Sequence, residues 1–148
     1  HSHLRFVQIT TLVAATLVPT YAATITDTYA GSLPATFTGT LPDQGSVFLE
    51  TFTLSAPGNV TVFTTSYATG GFQTNLLLFN SSGTAIAGSV PAGLPDVGTG
   101  IVGDSLLTAM GLGAGTYTVA LTDFLLGQSL VATNLSDGFT FNLGNGTT

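Results

Sequence analysis

Apolar residues in this chain recur at every second position over short runs. No stretch beyond residue 22 repeats them at the spacing of a helix. In residues 116–122, Tyr117, Val119 and Leu121 fall on one side, and Thr116, Thr118 and Thr122 on the other. A β-strand sends successive side chains to opposite faces, so this pattern predicts a half-buried strand. Residues 138–143 repeat it, with Phe139, Phe141 and Leu143 against Thr140 and Asn142. Residues 60–65 alternate Val60 and Val62 with Thr61, although Phe63 interrupts the polar side. Along residues 47–54, Phe48, Phe52 and Leu54 share a face that Glu50 interrupts, which leaves it either buried or, the favoured reading, at a strand edge in water. Residues 72–79 end in Leu76-Leu77-Leu78-Phe79, apolar on both sides, as in a central strand covered twice.

The turns fall between these runs. Pro57-Gly58 separates two of them and Asn80-Ser81-Ser82-Gly83 closes another, both being sequences that favour reversal. Residues 24–29 and 34–40 are strand-like as well, whereas residues 88–104 hold five Gly and two Pro and read as one long loop. A length of 148 residues suits one domain. The predicted fold is all-β: a single antiparallel sandwich of the Greek-key or jelly-roll kind, with about six to nine short strands.

Charge is distributed as unevenly as hydropathy. The one Lys or Arg is Arg5, flanked by His1 and His3. Residues 6–18 are mostly apolar, and Thr20-Tyr21-Ala22 places small residues before a cut after Ala22. A basic start, an apolar run and a small-residue exit fit a secretory leader over residues 1–22, the alternative being a first β-strand or a buried helix. The run is shorter than the ~20 residues that span a bilayer as a helix. Residues 23–43 then form a strand-like N-terminal segment and residues 44–148 the sandwich. The expected destination is outside the cell or on its surface, with no membrane span once the leader is removed.

After Ala22 the chain has no Lys, Arg, His or Cys, while all seven carboxylates remain: Asp27, Asp43, Glu50, Asp96, Asp104, Asp123 and Asp137. Several chemistries are thereby closed off. Without cysteine there is no disulfide framework and no thiolate metal site. Without cations there is no surface for nucleic acid. Serine and threonine hydroxyls have no His or Lys to act as their base. No Asp-Thr-Gly or Asp-Ser-Gly occurs, so the aspartic-protease pair is missing. An enzyme is not expected.

Leu112-Gly113-Ala114-Gly115-Thr116-Tyr117 reads as a turn running into a strand that opens on tyrosine. In a tyrosine corner such a hydroxyl folds back onto a backbone group a few residues upstream. That segment, together with residues 52–62 (FTLSAPGNVTV) and 71–83 (GFQTNLLLFNSSG), resembles the bacterial pre-peptidase C-terminal domain. It resembles still more the related secreted sandwich proteins that often end in a PEP-CTERM sorting tail. The likeness spans residues 44–143 and implies a non-catalytic extracellular β-sandwich. Two departures stand out. The stretch matching the family's acidic loop, residues 87–104, keeps only Asp96 and Asp104, and residues 145–148 carry no Pro-Glu-Pro.

Calcium is the ligand these residues fit best, since it takes oxygen donors from carboxylates and loop carbonyls. The candidates are Asp96 and Asp104 around the glycine-rich loop and Asp137 in an Asn-Leu-Ser-Asp-Gly turn. Gly98-Thr-Gly100-Ile-Val-Gly103 matches the dinucleotide glycine pattern in letters, without the strand and helix that give it meaning. Four Asn-x-Ser/Thr sequons begin at Asn59, Asn80, Asn134 and Asn145. The expected function is a secreted structural or binding protein that presents loops to an extracellular polysaccharide or protein partner. Two alternatives are a filament subunit that self-associates by strand addition and a calcium-dependent glycan-binding module.

Overall fold

The computed structural model describes residues 2–7, 24–42, 45–68, 71–90, 102–124 and 128–143, with backbone alone for 2–7, 128–130 and 141–143. The alternating runs become strands: β1 (Ser2–Val7), β2 (Thr24–Thr28), β3 (Ala35–Thr38), β4 (Val47–Leu54), β5 (Gly58–Thr64) and β6 (Thr74–Phe79). They continue as β7 (Ala85–Ser89), β8 (Leu106–Leu112), β9 (Gly115–Asp123), β10 (Gln128–Val131) and β11 (Thr140–Leu143). A short 3-10 turn, Leu135–Asp137, precedes β11. Among the described residues no helix is long and apolar enough to cross a membrane.

The strands form a five-stranded sheet, β2-β4-β9-β6-β7, a four-stranded sheet, β3-β1-β5-β8, and the hairpin β10-β11. The chain is all-β, but its sheets are mixed rather than purely antiparallel. Pairings β4/β9, β9/β6, β6/β7 and β5/β8 are antiparallel, whereas β2/β4, β1/β3 and β1/β5 are parallel. The reason lies in the connections. The chain leaves β2, visits the other sheet as β3 and returns as β4, so it re-enters beside β2 in the same direction. Ser2–Val7, part of the stretch that reads as a leader, runs between β3 and β5. The apolar remainder of that stretch and the cut after Ala22 lie outside the described residues.

The two large sheets enclose one core. Phe48, Phe52, Leu54, Leu76, Leu78, Tyr117, Val119 and Leu121 project from one sheet, and Phe37, Val60, Val62, Leu107 and Ala109 from the other. Phe52 and Tyr117 stack with centroids 6.1 Å apart. The opposite face of the five-stranded sheet is covered too, but only in part. Val47, Leu49, Phe79 and Ala120 form a second cluster under Ala132, Leu135 and Phe139. The twice-covered strand predicted at residues 72–79 is therefore β6, with Leu76 and Leu78 inward and Phe79 outward.

The tyrosine corner is present. The Tyr117 hydroxyl donates to the Gly113 carbonyl at 2.9 Å, and Gly115 enters the strand at φ +149°, a region side chains rarely adopt. Glu50 departs from expectation. Its side chain is fully buried, 0% exposed, on the inward face between Phe48 and Phe52. The edge of β4 is not open to water because β2 pairs along it, from Thr24↔Val47 to Thr28↔Thr51.

Core truncations should separate cleanly from surface ones in urea unfolding. Leu78→Ala, at a position with no exposure, should cost about 2–5 kcal/mol. Tyr117→Phe, which removes only the corner hydrogen bond, should cost about 1 kcal/mol. Thr53→Ala, on an exposed position, should stay within about 0.5 kcal/mol.

Candidate functional site

Asp104 is buried, and its carboxylate is fully engaged. One oxygen accepts from the Thr64 hydroxyl at 3.1 Å and the Tyr67 N–H at 3.0 Å, the other from the Ala68 N–H at 3.0 Å. Around it, the Ser105 N–H donates to the Thr64 hydroxyl at 2.9 Å, and the Thr64 and Thr74 hydroxyls pair at 2.8 Å. The Ser105 hydroxyl donates to the Thr74 carbonyl. This network clamps the loop after β5 onto the start of β8. Gly103 beside it sits at φ +111°, with the Tyr67 ring where a Cβ would be, 2.5 Å from the nearest ring atom. Only glycine fits there.

The other calcium candidates lie elsewhere. Asp137 is exposed in the 3-10 turn on the outer side of the five-stranded sheet. Asp96, along with Gly98 and Gly100 of the glycine pattern, lies outside the described residues. Among the described residues no three acidic or imidazole side chains gather as a metal would need.

A different site emerges on the outer face of the five-stranded sheet. Along β4 and β9 the outward residues change character from one end to the other. Val47, Leu49 and Ala120 are apolar and covered, while Thr51, Thr53, Thr116 and Thr118 are not part of that cover. The threonines face each other across the ladder. Thr51 and Thr118 hydroxyls lie 3.0 Å apart, Thr53 and Thr116 3.4 Å. Where the apolar cover stops, an open groove of about 520 Å³ begins, with Thr116 and Thr118 in its lining.

Its other lining residues come from two turns, Asn80 to Gly83 and Asn134 to Ser136. Each turn is shaped by its asparagine. The Asn80 side-chain oxygen accepts from the Ser82 and Thr84 N–H groups, both at 3.0 Å. That of Asn134 accepts from the Ser136 N–H at 3.0 Å and its hydroxyl at 2.8 Å. The turns are then tied together, Leu135 N–H to the Gly83 carbonyl at 2.7 Å and Ala85 N–H to the Thr133 carbonyl at 3.0 Å. The groove walls are thus set before any ligand arrives.

Among the described residues no lining side chain is charged; the set is Thr, Ser, Asn and Gly with one Leu. Such a surface offers donors and acceptors without a fixed charge, which suits polyhydroxyl ligands rather than ions. Sequence reading had no period or motif with which to join two turns some fifty residues apart. The available signal was the pair of sequons at Asn80 and Asn134, both of which the fold uses as turn-forming asparagines. A third sequon residue, Asn59, likewise accepts the Gly111 N–H at 2.8 Å. Asn145 lies outside the described residues.

Removing the Asp104 clamp should be costly. Asp104→Ala leaves the Thr64, Tyr67 and Ala68 donors without their acceptor and should lower stability by about 2–4 kcal/mol in urea melts. A calcium-dependent rise in melting temperature that Asp104→Asn abolishes would instead give this carboxylate a cation role. Comparison with known proteins returns no matching family model, no matching curated protein and no matching solved structure.

Proposed function

We propose that this chain is a secreted, non-catalytic β-sandwich that binds a neutral extracellular polysaccharide, as a structural or binding component of the cell surface or matrix. The observation that carries the reading is the groove beside Thr116 and Thr118, walled by hydroxyls and amides with no charged group among the described residues. Sugar hydroxyls both donate and accept, and threonine, serine and asparagine side chains answer both needs. Net charge supports the same choice. Seven carboxylates with no cation after residue 22 repel polyanions at long range and leave neutral chains unaffected. The absence of His, Lys and Cys from that stretch removes the usual bases and nucleophiles, so binding without turnover is the consistent outcome. The basic-apolar-small pattern of residues 1–22 supports export.

One feature favours a second reading, assembly by strand addition. β1 lies between β3 and β5, parallel to both. If residues 1–22 are removed on export, that position is vacated and offers two strand edges to a neighbour's strand. The processed chain then elutes as polymers on size exclusion, and deleting residues 23–43 abolishes them. A monodisperse monomer would refute assembly.

Two measurements test the main reading. Mass spectrometry of the exported protein should find the chain beginning at Ala23. A panel of neutral and acidic polysaccharides in affinity electrophoresis should show retardation by neutral ones only. Thr116→Val with Thr118→Val keeps β-branched shape but deletes two hydroxyls, and should weaken binding roughly tenfold. Retardation by no neutral glycan, or binding untouched by the double variant, would overturn it.

A further inference from the structure

Glu50 is a carboxyl group in the wrong place for a charge. It sits on the inward face of β4, fully buried, and neither of its oxygens meets a hydrogen-bond partner. Its register partner on the edge strand β2 is Asp27. Aligned residues on adjacent strands share a face with backbones about 5 Å apart, so the two carboxyls lie side by side. The Asp27 carboxyl acts on Glu50 by charge, and its negative charge disfavours a second one beside it. With no donor to answer a charge on Glu50 and a second carboxyl aligned beside it, a proton on Glu50 removes both the desolvation cost and the repulsion.

The other described neighbours offer no relief. On the far side of β4, Glu50 is aligned with Val119 of β9. The titratable groups of β9 are Tyr117 and Asp123; the Tyr117 hydroxyl is spent on Gly113, and Asp123 lies four positions along, aligned with Thr74. Strands β3, β5, β6, β7 and β8 carry no titratable side chain. His3 and Arg5 of β1 have side chains outside the described residues. After residue 22 no cation exists to pair with either carboxylate.

We propose that Glu50 and Asp27 form a proton-held latch that docks β2 on the sandwich, closed while the pair holds a proton and released as it loses it. Burial, with Asp27 adding to it, pushes the Glu50 carboxyl up from its ordinary 4.5 to about 8. The folded chain therefore binds this proton more tightly than the unfolded one. The stabilisation is complete below the ordinary carboxylate range and is lost as pH rises towards about 8. What opens is local. β2 is anchored by Ile25 against the core and, just beyond it, by the Tyr29 N–H on the Thr51 carbonyl at 2.7 Å. Releasing it bares the edge of β4.

Hydrogen exchange of the full chain, corrected for intrinsic rates, tests this between pH 5 and 9. Protection of residues 24–28 and of their β4 partners should fall by up to about tenfold per pH unit, while residues 74–79 stay protected. Glu50→Gln, which cannot ionise, should abolish the pH dependence, and Asp27→Asn should move it to lower pH. Should Glu50→Gln fail to fold, carbon NMR of the wild-type Glu50 carboxyl supplies the answer through a midpoint near 8. Protection independent of pH, an equal loss at residues 74–79, or a Glu50 midpoint in the ordinary carboxylate range would each overturn the latch.

Discussion

The pairing of β4 with β9 is the interaction on which the rest of this molecule depends. Eight aligned pairs, from Val47↔Thr122 to Leu54↔Gly115, make a ladder with two different faces. Its inward face supplies Phe48, Phe52, Tyr117, Val119 and Leu121 to the core. Its outward face is divided lengthwise into a covered apolar half and a hydroxyl half, and the groove exists because the cover ends where the threonines begin. Its free side receives β2. Core, groove and the edge on which β2 docks are thus three consequences of one alternating pair of sequences.

A chain with no cation after residue 22 has to manage its carboxylates with neutral groups. Asp104 shows one solution. Three donors, two of them backbone N–H groups of one loop, take up both of its oxygens, and the charge holds the loop in return. Glu50 shows the opposite case, burial without donors, for which protonation is the remaining way to remove the charge. Asp123 lies between them, its carboxyl raised to about 6 by burial alone. Ion pairs stabilise buried carboxylates in other proteins; here backbone amides, hydroxyls and the proton do so.

Local alternation made β4, β5, β6 and β9 legible in the sequence, and the Leu-x-Ala-Gly-x-Tyr string located the tyrosine corner. Each of those signals is complete within a dozen residues. β7 was not legible, because Ala85-Ile-Ala-Gly-Ser89 is small and uncharged throughout and its end merges with the glycine-rich stretch read as loop. The parallel placement of β2 depends on a crossover to the other sheet, which no local pattern encodes. Glu50 was misplaced for the same reason. Its position in the strand was evident, but whether that edge met water or β2 was decided some twenty residues earlier in the chain. The groove needed two turns brought together by the sheet, so only its separate asparagine turns were visible beforehand.

Sheet edges are where a lysine-free β-protein is most exposed to unwanted pairing, and this fold treats its edges differently according to charge. β7 and β8 carry no charged residue and leave Ile86 and Met110 exposed, yet each meets its neighbour through a register shift. Such bulges twist an edge away from a flat partner. β2 has no register shift and relies on Asp27, a charge placed on the edge strand itself. A charge in that position discourages a further strand from adding outside it. Its other neighbour is Glu50, so the same carboxylate that guards the outer edge raises the proton affinity of the buried group within. Edge protection and the latch therefore cannot be tuned separately: neutralising Asp27 relieves Glu50 and at the same time strips the charge from the edge of the sheet.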